Sequence, residues 1–409
     1  MKQAVILAGG KGTRLKSELG NLPKALVNIG GKPLLELQLN QLKKYGFNNI
    51  ILLLNHESSQ IIEFCKSNDN WNLDIKFIIE EYPMGTAGAV INAYEHLEND
   101  FLIVYGDTLF QINIDKFYKF HIKNKNTNAS LFLHPNDHPQ DSDLVEIDNK
   151  NRITFFHPYP HKKDKYYRNL VNAAFYFINK KSLNKWRHNK ELLDFGKHIF
   201  PKLLLDKQIL MGYNSPEYIK DCGTPKRIKS VRKHYASMTL KKENNEHKAI
   251  FLDRDGTIIK HIKHLNHHKQ LELLSNSSKA IKQINESEFL SCVITNQPVL
   301  ARGECTFDEL NIIHNKMETI LGIEGSYIDR IYYCPHYPEK GFEGENIDLK
   351  IDCNCRKPKN GLFLKAINEL NIDVTKSYMI GDSKSDENCA KKSKIKFLHS
   401  DSDFNKSIK

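Results

Sequence analysis

At 409 residues the chain is too long for one ordinary domain and fits two of moderate size, each able to bury a core. The formal net charge of +11 comes from lysines scattered along the chain rather than arginine-rich blocks, which suits anionic metabolites; no recognised nucleic-acid-binding motif is present. No apolar run approaches the roughly 18–20 residues of a membrane span, and the N-terminal apolar run is too short for a signal-peptide core. A cytoplasmic protein is expected, whose eight cysteines serve as thiols or metal ligands rather than disulfides.

The first predicted strand, Ala4 to Leu7, runs into Ala8-Gly9-Gly10-Lys11-Gly12-Thr13-Arg14-Leu15. Glycines let backbone N–H groups approach an anion, and Lys11 and Arg14 add charge where a polyphosphate would lie. The spacing meets neither the P-loop nor the Rossmann fingerprint. Pro33 to Tyr45 reads as an amphipathic helix and Asn49 to Asn55 as a buried strand, with further strands at Ile75–Ile79, Phe101–Tyr105 and Ala129–His134. Such alternation predicts a mostly parallel α/β sheet, whose ligands gather at the carboxyl ends of the strands. Glu80 to Ala89, with Gly85 and Thr86, falls where a strand ends and a helix begins, and Gly106-Asp107 places an acid at a strand's carboxyl end.

Together the glycine loop and Leu22-Pro23-Lys24 resemble the signature of the sugar-1-phosphate nucleotidyltransferases, L-A-G-G-x-G-T-R-L followed by P-K. That resemblance implies a nucleoside triphosphate site at Leu7, Gly9, Gly10, Gly12 and Thr13, with Arg14 and Lys24 in catalytic roles. It also implies a base pocket at Gly85 and Thr86, and Mg²⁺ held by Asp107 together with Asp221 of Asp221-Cys222-Gly223-Thr224-Pro225. Two places depart from the family pattern: Phe155-Phe156-His157-Pro158 stands where E-K-P is common, and Asn172-Ala173-Ala174 where N-A-G is common. Asn172 remains a candidate sugar contact. The implied chemistry is attack of a sugar-1-phosphate oxygen on the α-phosphorus with loss of pyrophosphate, which asks for positioning and charge neutralisation more than for a general base.

Residues 236–247 read as a polar linker after a final helix, and no hexapeptide repeat follows. The division expected is 1–235, linker 236–247, and 248–409. Ala249-Ile250-Phe251-Leu252-Asp253-Arg254-Asp255-Gly256-Thr257 then restarts the strand-and-loop pattern. It is followed in order by Val293-Ile294-Thr295-Asn296-Gln297, Arg356-Lys357-Pro358 and Met379-Ile380-Gly381-Asp382. This ordered set resembles the haloacid-dehalogenase superfamily. The resemblance makes Asp253 the nucleophile, Asp255 the acid and base, and Thr295, Asn296, Arg302, Arg356 and Lys357 substrate contacts. Mg²⁺ falls to Asp253, Asp255 and Asp382; Asp386 is either an addition to that shell or an exposed acid.

Cys334-Pro335-His336 and Cys353-Asn354-Cys355 are two tight pairs sixteen residues apart, the donor set of a closed tetrahedral Zn²⁺ site. This loop, with Ala301-Arg302-Gly303, resembles the capless branch containing D-glycero-D-manno-heptose 1,7-bisphosphate and histidinol-phosphate phosphatases. Pro298-Val299 and the stretch Lys260 to His268, which lacks the branch's G-Y-V, depart from its pattern.

The fold class expected is therefore α/β in two domains: an N-terminal Rossmann-like nucleotidyltransferase with a GT-A-like mixed sheet, and a C-terminal capless dehalogenase-like Rossmannoid domain with a zinc loop. The joined resemblances imply a bifunctional enzyme that removes the 7-phosphate of heptose 1,7-bisphosphate and transfers GMP from GTP to heptose 1-phosphate, for surface polysaccharides. A different sugar, such as mannose 1-phosphate, with a histidinol-phosphate-like phosphatase, is the alternative. Partners are small phosphorylated molecules, with no nucleic acid or membrane; a homo-oligomer is compatible with the sequence.

Overall fold

The computed structural model describes residues 2–10, 12, 15, 20–124, 126–237 and 246–400. Residues 236–247, expected as a linker, fall largely outside that set. By density of contacts the chain forms two units. One comprises Met1–His134, Val145–Pro158 and Asn172–Glu243; the other comprises Pro135–Leu144, Tyr159–Val171 and Asn244–Lys409.

In the first unit, β1 (Lys2–Leu7), α1 (Leu34–Lys44), β2 (Phe47–Leu54), α2 (Ser58–Ser67), β3 (Asp74–Ile79), α3 (Gly85–Asn92) and β4 (Asp100–Tyr105) alternate as the hydrophobic pattern predicts. β1 lies between β2 and β4, parallel to both, and β3 continues parallel beyond β2. The apolar runs of β1, β2 and β4 are buried on both sides, so parallel pairing leaves them no solvated face to alternate with, whereas β3, at the sheet edge, has only exposed and half-buried residues.

β5 (Thr108–Gln111), α4 (Ile114–Lys123), β6 (Ala129–His134), β7 (Leu144–Ile147), β8 (Ile153–His157), β9 (Val171–Asn179), α5 (Phe200–Leu205) and β10 (Leu210–Asn214) follow. β9 enters antiparallel beside β4 and makes the nine-stranded sheet mixed. β11 (Tyr218–Asp221) pairs antiparallel with β5 apart from the main sheet, and α6 (Pro225–Ala236) closes the unit, its first N–H groups capped by Thr224.

Ala174, at the position where the resembled pattern has glycine, adopts φ +56° within β9. The backbone turn expected of a glycine is thus kept by a residue that pays for it sterically.

The second unit is a five-stranded sheet in the order β14 (Arg330–Cys334), β13 (Phe289–Asn296), β12 (Lys248–Leu252), β15 (Tyr378–Gly381) and β16 (Lys396–His399), all parallel. Alternate residues of β12 divide between two cores: Ile250 and Leu252 face one, Ala249 and Phe251 the other. The helices α7 (Ser277–Asn285), α8 (Phe307–Ile323), α9 (Gly361–Leu370) and α10 (Lys384–Lys392) supply the apolar faces of those cores.

The two stretches from the first half of the chain that cluster here were not foreseen from sequence. Tyr167 N–H donates to Thr319 Oγ1 (3.1 Å) and Asn169 N–H to Glu318 Oε2 (3.4 Å), both on α8. Burial raises the Glu318 carboxyl to about 7, against the opposing pull of Arg168. No helix among the described residues is long and apolar enough to cross a membrane.

Candidate active sites

In the first unit, the carboxyl ends of β1, β2 and β4 and the start of α3 surround a cavity of about 600 Å³. Leu7, Gly9, Gly10, Lys24, Gly85, Thr86 and Asp107 line it, as the sequence motifs require. Gly12 packs against the Lys24 stem, at 3.3 Å from where its Cβ would lie. Lys11, Thr13 and Arg14 lie outside the described residues. The Lys24 Nζ is 3.5 Å from Asp107 Oδ2. Burial raises the Asp107 carboxyl; Lys24 opposes that shift, and the charge of Asp221 adds to it.

Asp221 comes beside Asp107 because β11 pairs with β5: Cys222 N–H donates to the Asp107 carbonyl at 2.6 Å. Asp221 Oδ1 accepts from Gly223 N–H (2.9 Å) and Arg227 Nη1 (3.0 Å). Asn172 does not line the cavity; its side-chain oxygen accepts from Ala174 N–H at 3.4 Å. Of the departing segment, His157 pairs with Glu146 at 2.7 Å.

Gly85 sits at φ +78°, and a Cβ there would lie 2.5 Å from the Leu193 carbonyl oxygen, so glycine is required. That carbonyl accepts from Ala87 and Gly88 N–H groups at 2.8 and 3.1 Å, tying the start of α3 to residues 193–195. Thr86 Oγ1 donates to Asp194 Oδ1 (2.9 Å) and accepts from Phe195 N–H (3.1 Å). Thr86 therefore fixes the cavity wall through Asp194, a lining residue that sequence reading missed. Phe195–Ile199 forms a single π-helical turn, a feature with no signal in the residue pattern. Asn55 and Glu80 complete this wall.

In the second unit, a cavity of about 360 Å³ opens at the carboxyl ends of β12, β13 and β15. Asp253, Asp255, Thr295, Asn296, Arg302, Lys357 and Asp382 all line it. Lys357 Nζ, nearly buried, lies 2.7 Å from Asp253 Oδ1 and 2.5 Å from Asp386 Oδ1. The Asn296 side chain donates from Nδ2 to the Lys357 carbonyl (3.1 Å) and accepts at Oδ1 from the Lys357 N–H (3.0 Å), which fixes the lysine's backbone against β13. Burial raises the Asp253 carboxyl, Lys357 opposes, and the charges of Asp386 and Asp255 add to the shift.

Carboxylate oxygens of Asp253, Asp382 and Asp386 all lie within 4.8 Å of one another. Asp386 is fully buried rather than exposed and joins Asp253 and Asp382, while the Asp255 carboxylate lies outside that cluster. The reason is local: Asp386 forms a capping box with Ser383 at the start of α10, which turns its other oxygen toward Lys357. Asp255 is held elsewhere. Arg254, 1 % exposed, donates from Nε and Nη2 to its carboxylate at 3.0–3.2 Å, and Gln297 Nε2 donates to its Oδ2 at 3.0 Å. Arg254 Nη2 also donates to Gln297 Oε1 (2.8 Å), and its Nη1 lies 3.2 Å from His314 Nε2. Burial and the arginine charge hold that histidine well below its usual pKa, so it accepts as a neutral ring. Arg254, Gln297 and His314 were not assigned roles from sequence; the only signal was a cation wedged between two acids at a strand end.

Cys334, His336, Cys353 and Cys355 converge. Cys334 Sγ is 3.5 Å from Cys353 Sγ and 3.1 Å from Cys355 Sγ; Cys355 Sγ is 3.2 Å from Cys353 Sγ and from His336 Nδ1. Tetrahedral Zn²⁺ with bonds of about 2.0–2.3 Å needs donor separations only slightly larger, so the four atoms fit that ion. Arg356 Nη1 donates to the His336 carbonyl at 3.3 Å.

The nucleotidyl transferase family matches residues 3–238, and the haloacid dehalogenase-like hydrolase family matches residues 346–399. Over 149 residues the chain is 40% identical to a D-glycero-beta-D-manno-heptose-1,7-bisphosphate 7-phosphatase of Pasteurella multocida, a match covering 36% of this chain and 78% of that protein. It is 32% identical over 238 residues to the bifunctional protein GlmU of Methanococcus aeolicus, covering 56% of this chain and 54% of that relative, about half its length. The solved inositol-1-phosphate CTP transferase from T. maritima shares the fold, with a TM-score of 0.50 at 20% identity, over 60% of this chain and 97% of that one.

Proposed function

The chain belongs to the nucleotidyl transferase family and, through its second unit, to the family of the D-glycero-beta-D-manno-heptose-1,7-bisphosphate 7-phosphatases; from that premise we propose that it performs two successive steps on one sugar. The phosphatase removes the 7-phosphate of D-glycero-D-manno-heptose 1,7-bisphosphate. The transferase then joins GMP from GTP to the anomeric phosphate that remains, releasing pyrophosphate and GDP-heptose. The observation that carries this reading is the presence in one chain of a heptose bisphosphate phosphatase relative and a nucleotidyl transferase, since the product of the first is the acceptor class of the second. The relatives' names specify the β-anomer. The α-anomer is proposed here, because the GDP-linked route runs through it; GTP follows from the same reasoning.

In the phosphatase, Asp253 Oδ attacks phosphorus and the ester oxygen leaves with the proton of Asp255, giving an aspartyl phosphate. Asp255 then takes a proton from water as that water attacks the acyl phosphate, restoring Asp253. Arg254 and Gln297 aim the Asp255 carboxylate, while Lys357 holds the Asp253 side chain and meets charge on the transferring group. Thr295 and Asn296 offer further contacts, and Arg356 lies beside the zinc loop. Asp253, Asp382 and Asp386 present hard oxygen donors whose mutual repulsion a divalent cation relieves, so they are the residues that would hold Mg²⁺. When bound, it neutralises charge on the phosphoryl oxygens.

In the transferase, no general base is needed because the acceptor phosphate is already anionic. Gly9, Gly10, Gly12 and Thr13 cradle the triphosphate, with Arg14 and Lys24 neutralising it. Gly85 and Thr86 line the base end, and Asn172 serves the sugar. Asp107 and Asp221 would hold Mg²⁺, which supplies further charge neutralisation when bound.

The test is phosphorus NMR of the full chain with both anomers of heptose 1,7-bisphosphate, followed by GTP, ATP, CTP and UTP. Loss of the 7-phosphate, then GDP-heptose and pyrophosphate from the α-anomer, is expected. Release of the anomeric phosphate, or cleavage of histidinol phosphate with the bisphosphate untouched, would refute the reading.

A further inference from the structure

Release of the sugar oxygen depends on where Asp255 points, and Asp255 is aimed by a guanidinium buried behind it. The Asp255 side chain is 20 % exposed at the cavity, that of Arg254 only 1 %. An arginine fork offers Nε and Nη2 to one side and Nη1 to the other. In Arg254 the first pair meets Asp255 at 3.0–3.2 Å, and Nη2 also reaches Gln297 Oε1 at 2.8 Å. Those bonds fix the distance to the acid, while the tilt of the plane is set from the far side. There Nη1 lies 3.2 Å from His314 Nε2, its one hydrogen-bond partner among the described residues.

His314 is as fixed as the group it holds. It is buried on α8, with the Tyr333 ring centre 5.6 Å from its own. One turn further along α8, Glu318 accepts from Asn169 N–H, and Thr319 Oγ1 accepts from Tyr167 N–H and donates to the Tyr167 carbonyl (3.2 Å). Turning the helix about its axis would break these bonds. An imidazole nitrogen accepts only while it carries no proton, and burial together with the arginine charge keeps the ring in that form.

We propose that His314 is a positioning residue for hydrolysis: by accepting from Arg254 Nη1 it sets the tilt of the guanidinium that presents Asp255 to the leaving oxygen and keeps that carboxylate apart from Asp253, Asp382 and Asp386. Without the acceptor, Nη1 is a buried cationic donor left unmet, so the guanidinium turns toward another oxygen and takes the carboxylate with it. Asp253, Lys357 and Thr295 keep their places, so attack on phosphorus is retained and protonation of the leaving oxygen is lost. This inference rests on the phosphatase reading above, in which Asp255 protonates the ester oxygen.

The test compares two leaving groups on the full chain. A sugar alkoxide needs the proton of Asp255 to depart, whereas para-nitrophenolate leaves without one. Because kcat/KM covers the chemistry only as far as that departure, the ratio of its values for heptose 1,7-bisphosphate and para-nitrophenyl phosphate reads the aim of the acid. His314→Leu keeps the volume and removes the acceptor, and should lower the ratio by about 10- to 100-fold, part of the full contribution of a general acid. His314→Gln restores an acceptor oxygen and should leave the ratio within about 3-fold of wild type. A packing role predicts that both esters slow together and that leucine serves at least as well as glutamine. Equal losses on the two esters, an unmoved ratio in His314→Leu, or a ratio as low in His314→Gln as in His314→Leu therefore overturns the proposal. Should His314→Leu fail to fold, nitrogen NMR of the wild-type imidazole decides: Nε2 without a proton is expected, and a protonated Nε2 overturns the assignment. A wild type that cleaves the nitrophenyl ester and another sugar phosphate but not the heptose bisphosphate overturns the heptose reading alone, and the ratio is then taken with that sugar. A wild type that hydrolyses no phosphomonoester overturns both.

Discussion

Gly85→Ala is the sharpest probe of the nucleotide cavity. The residue sits at φ +78°, where an L side chain costs about 1–2 kcal/mol. Its new Cβ would also lie 2.5 Å from the Leu193 carbonyl oxygen, closer than any real contact, so that carbonyl must move. Moving it weakens the bonds it accepts from Ala87 and Gly88, each worth about 1 kcal/mol. The sum is about 3–4 kcal/mol, carried either by stability or by disorder of the wall that includes Thr86 and Asp194. Expressed as stability, it lowers the unfolding temperature of the first unit by about 10 °C. Expressed at the cavity, at about 1.4 kcal/mol per tenfold, it lowers the transferase kcat/KM for the triphosphate by about 100-fold or more. Heptose bisphosphate hydrolysis by the same molecules is the internal control and should not change. Measuring both activities and the melting profile separates the outcomes. Wild-type transferase kinetics with an unshifted melt would show that neither the left-handed backbone nor the contact with Leu193 constrains this turn.

Ala174→Gly should stabilise the first unit by up to about 1 kcal/mol, because relief of the left-handed conformation slightly exceeds the entropy glycine adds to the unfolded chain; a destabilised variant in urea unfolding would contradict this. Glu318 has its carboxyl raised by burial to about 7 from an ordinary 4.5, so between those pH values the folded state keeps a proton the unfolded state has lost. Stability of the second unit should therefore fall by at most about 3 kcal/mol as pH rises from 4.5 to 7 and stay lower above it. Glu318→Gln should flatten that slope, and equal slopes in unfolding titrations at pH 5 and 8 would count against the assignment. Metal analysis should find about one zinc per chain, and Cys353→Ser with Cys355→Ser should remove it. That double variant should lose hydrolysis, because the loop carrying Arg356 and Lys357 follows the cluster directly, while pyrophosphate release persists. Zinc-free protein with full phosphatase activity would sink the structural role.

The second unit shows where burial overrides pattern. Two acids at i and i+2 in D-x-D suggest a shared metal, yet Arg254 draws Asp255 into a pair of its own while Asp386 joins Asp253 and Asp382. An arginine at that strand end can be buried only if its donors are met. Asp255, Gln297 and His314 meet them. In the first unit, the wall formed by Thr86 and Asp194 joins residues too distant in sequence for any local pattern to link them.

What the sequence determined alone was whatever depends on a few consecutive residues: the strands with their glycine turns, the placing of Gly9, Asp107, Asp253 and Thr295 at strand ends, and the paired cysteines. Hydrophobic period and turn chemistry are local, so they can be read along the chain. The tertiary structure alone decided which partner each buried charge takes, that Ala174 keeps a glycine's conformation, and that Pro135–Leu144 and Tyr159–Val171 cluster with the second unit. The choice of partners turns on the cost of leaving a polar group unpaired away from water, which is set by neighbours up to about 150 residues away and has no signature in spacing.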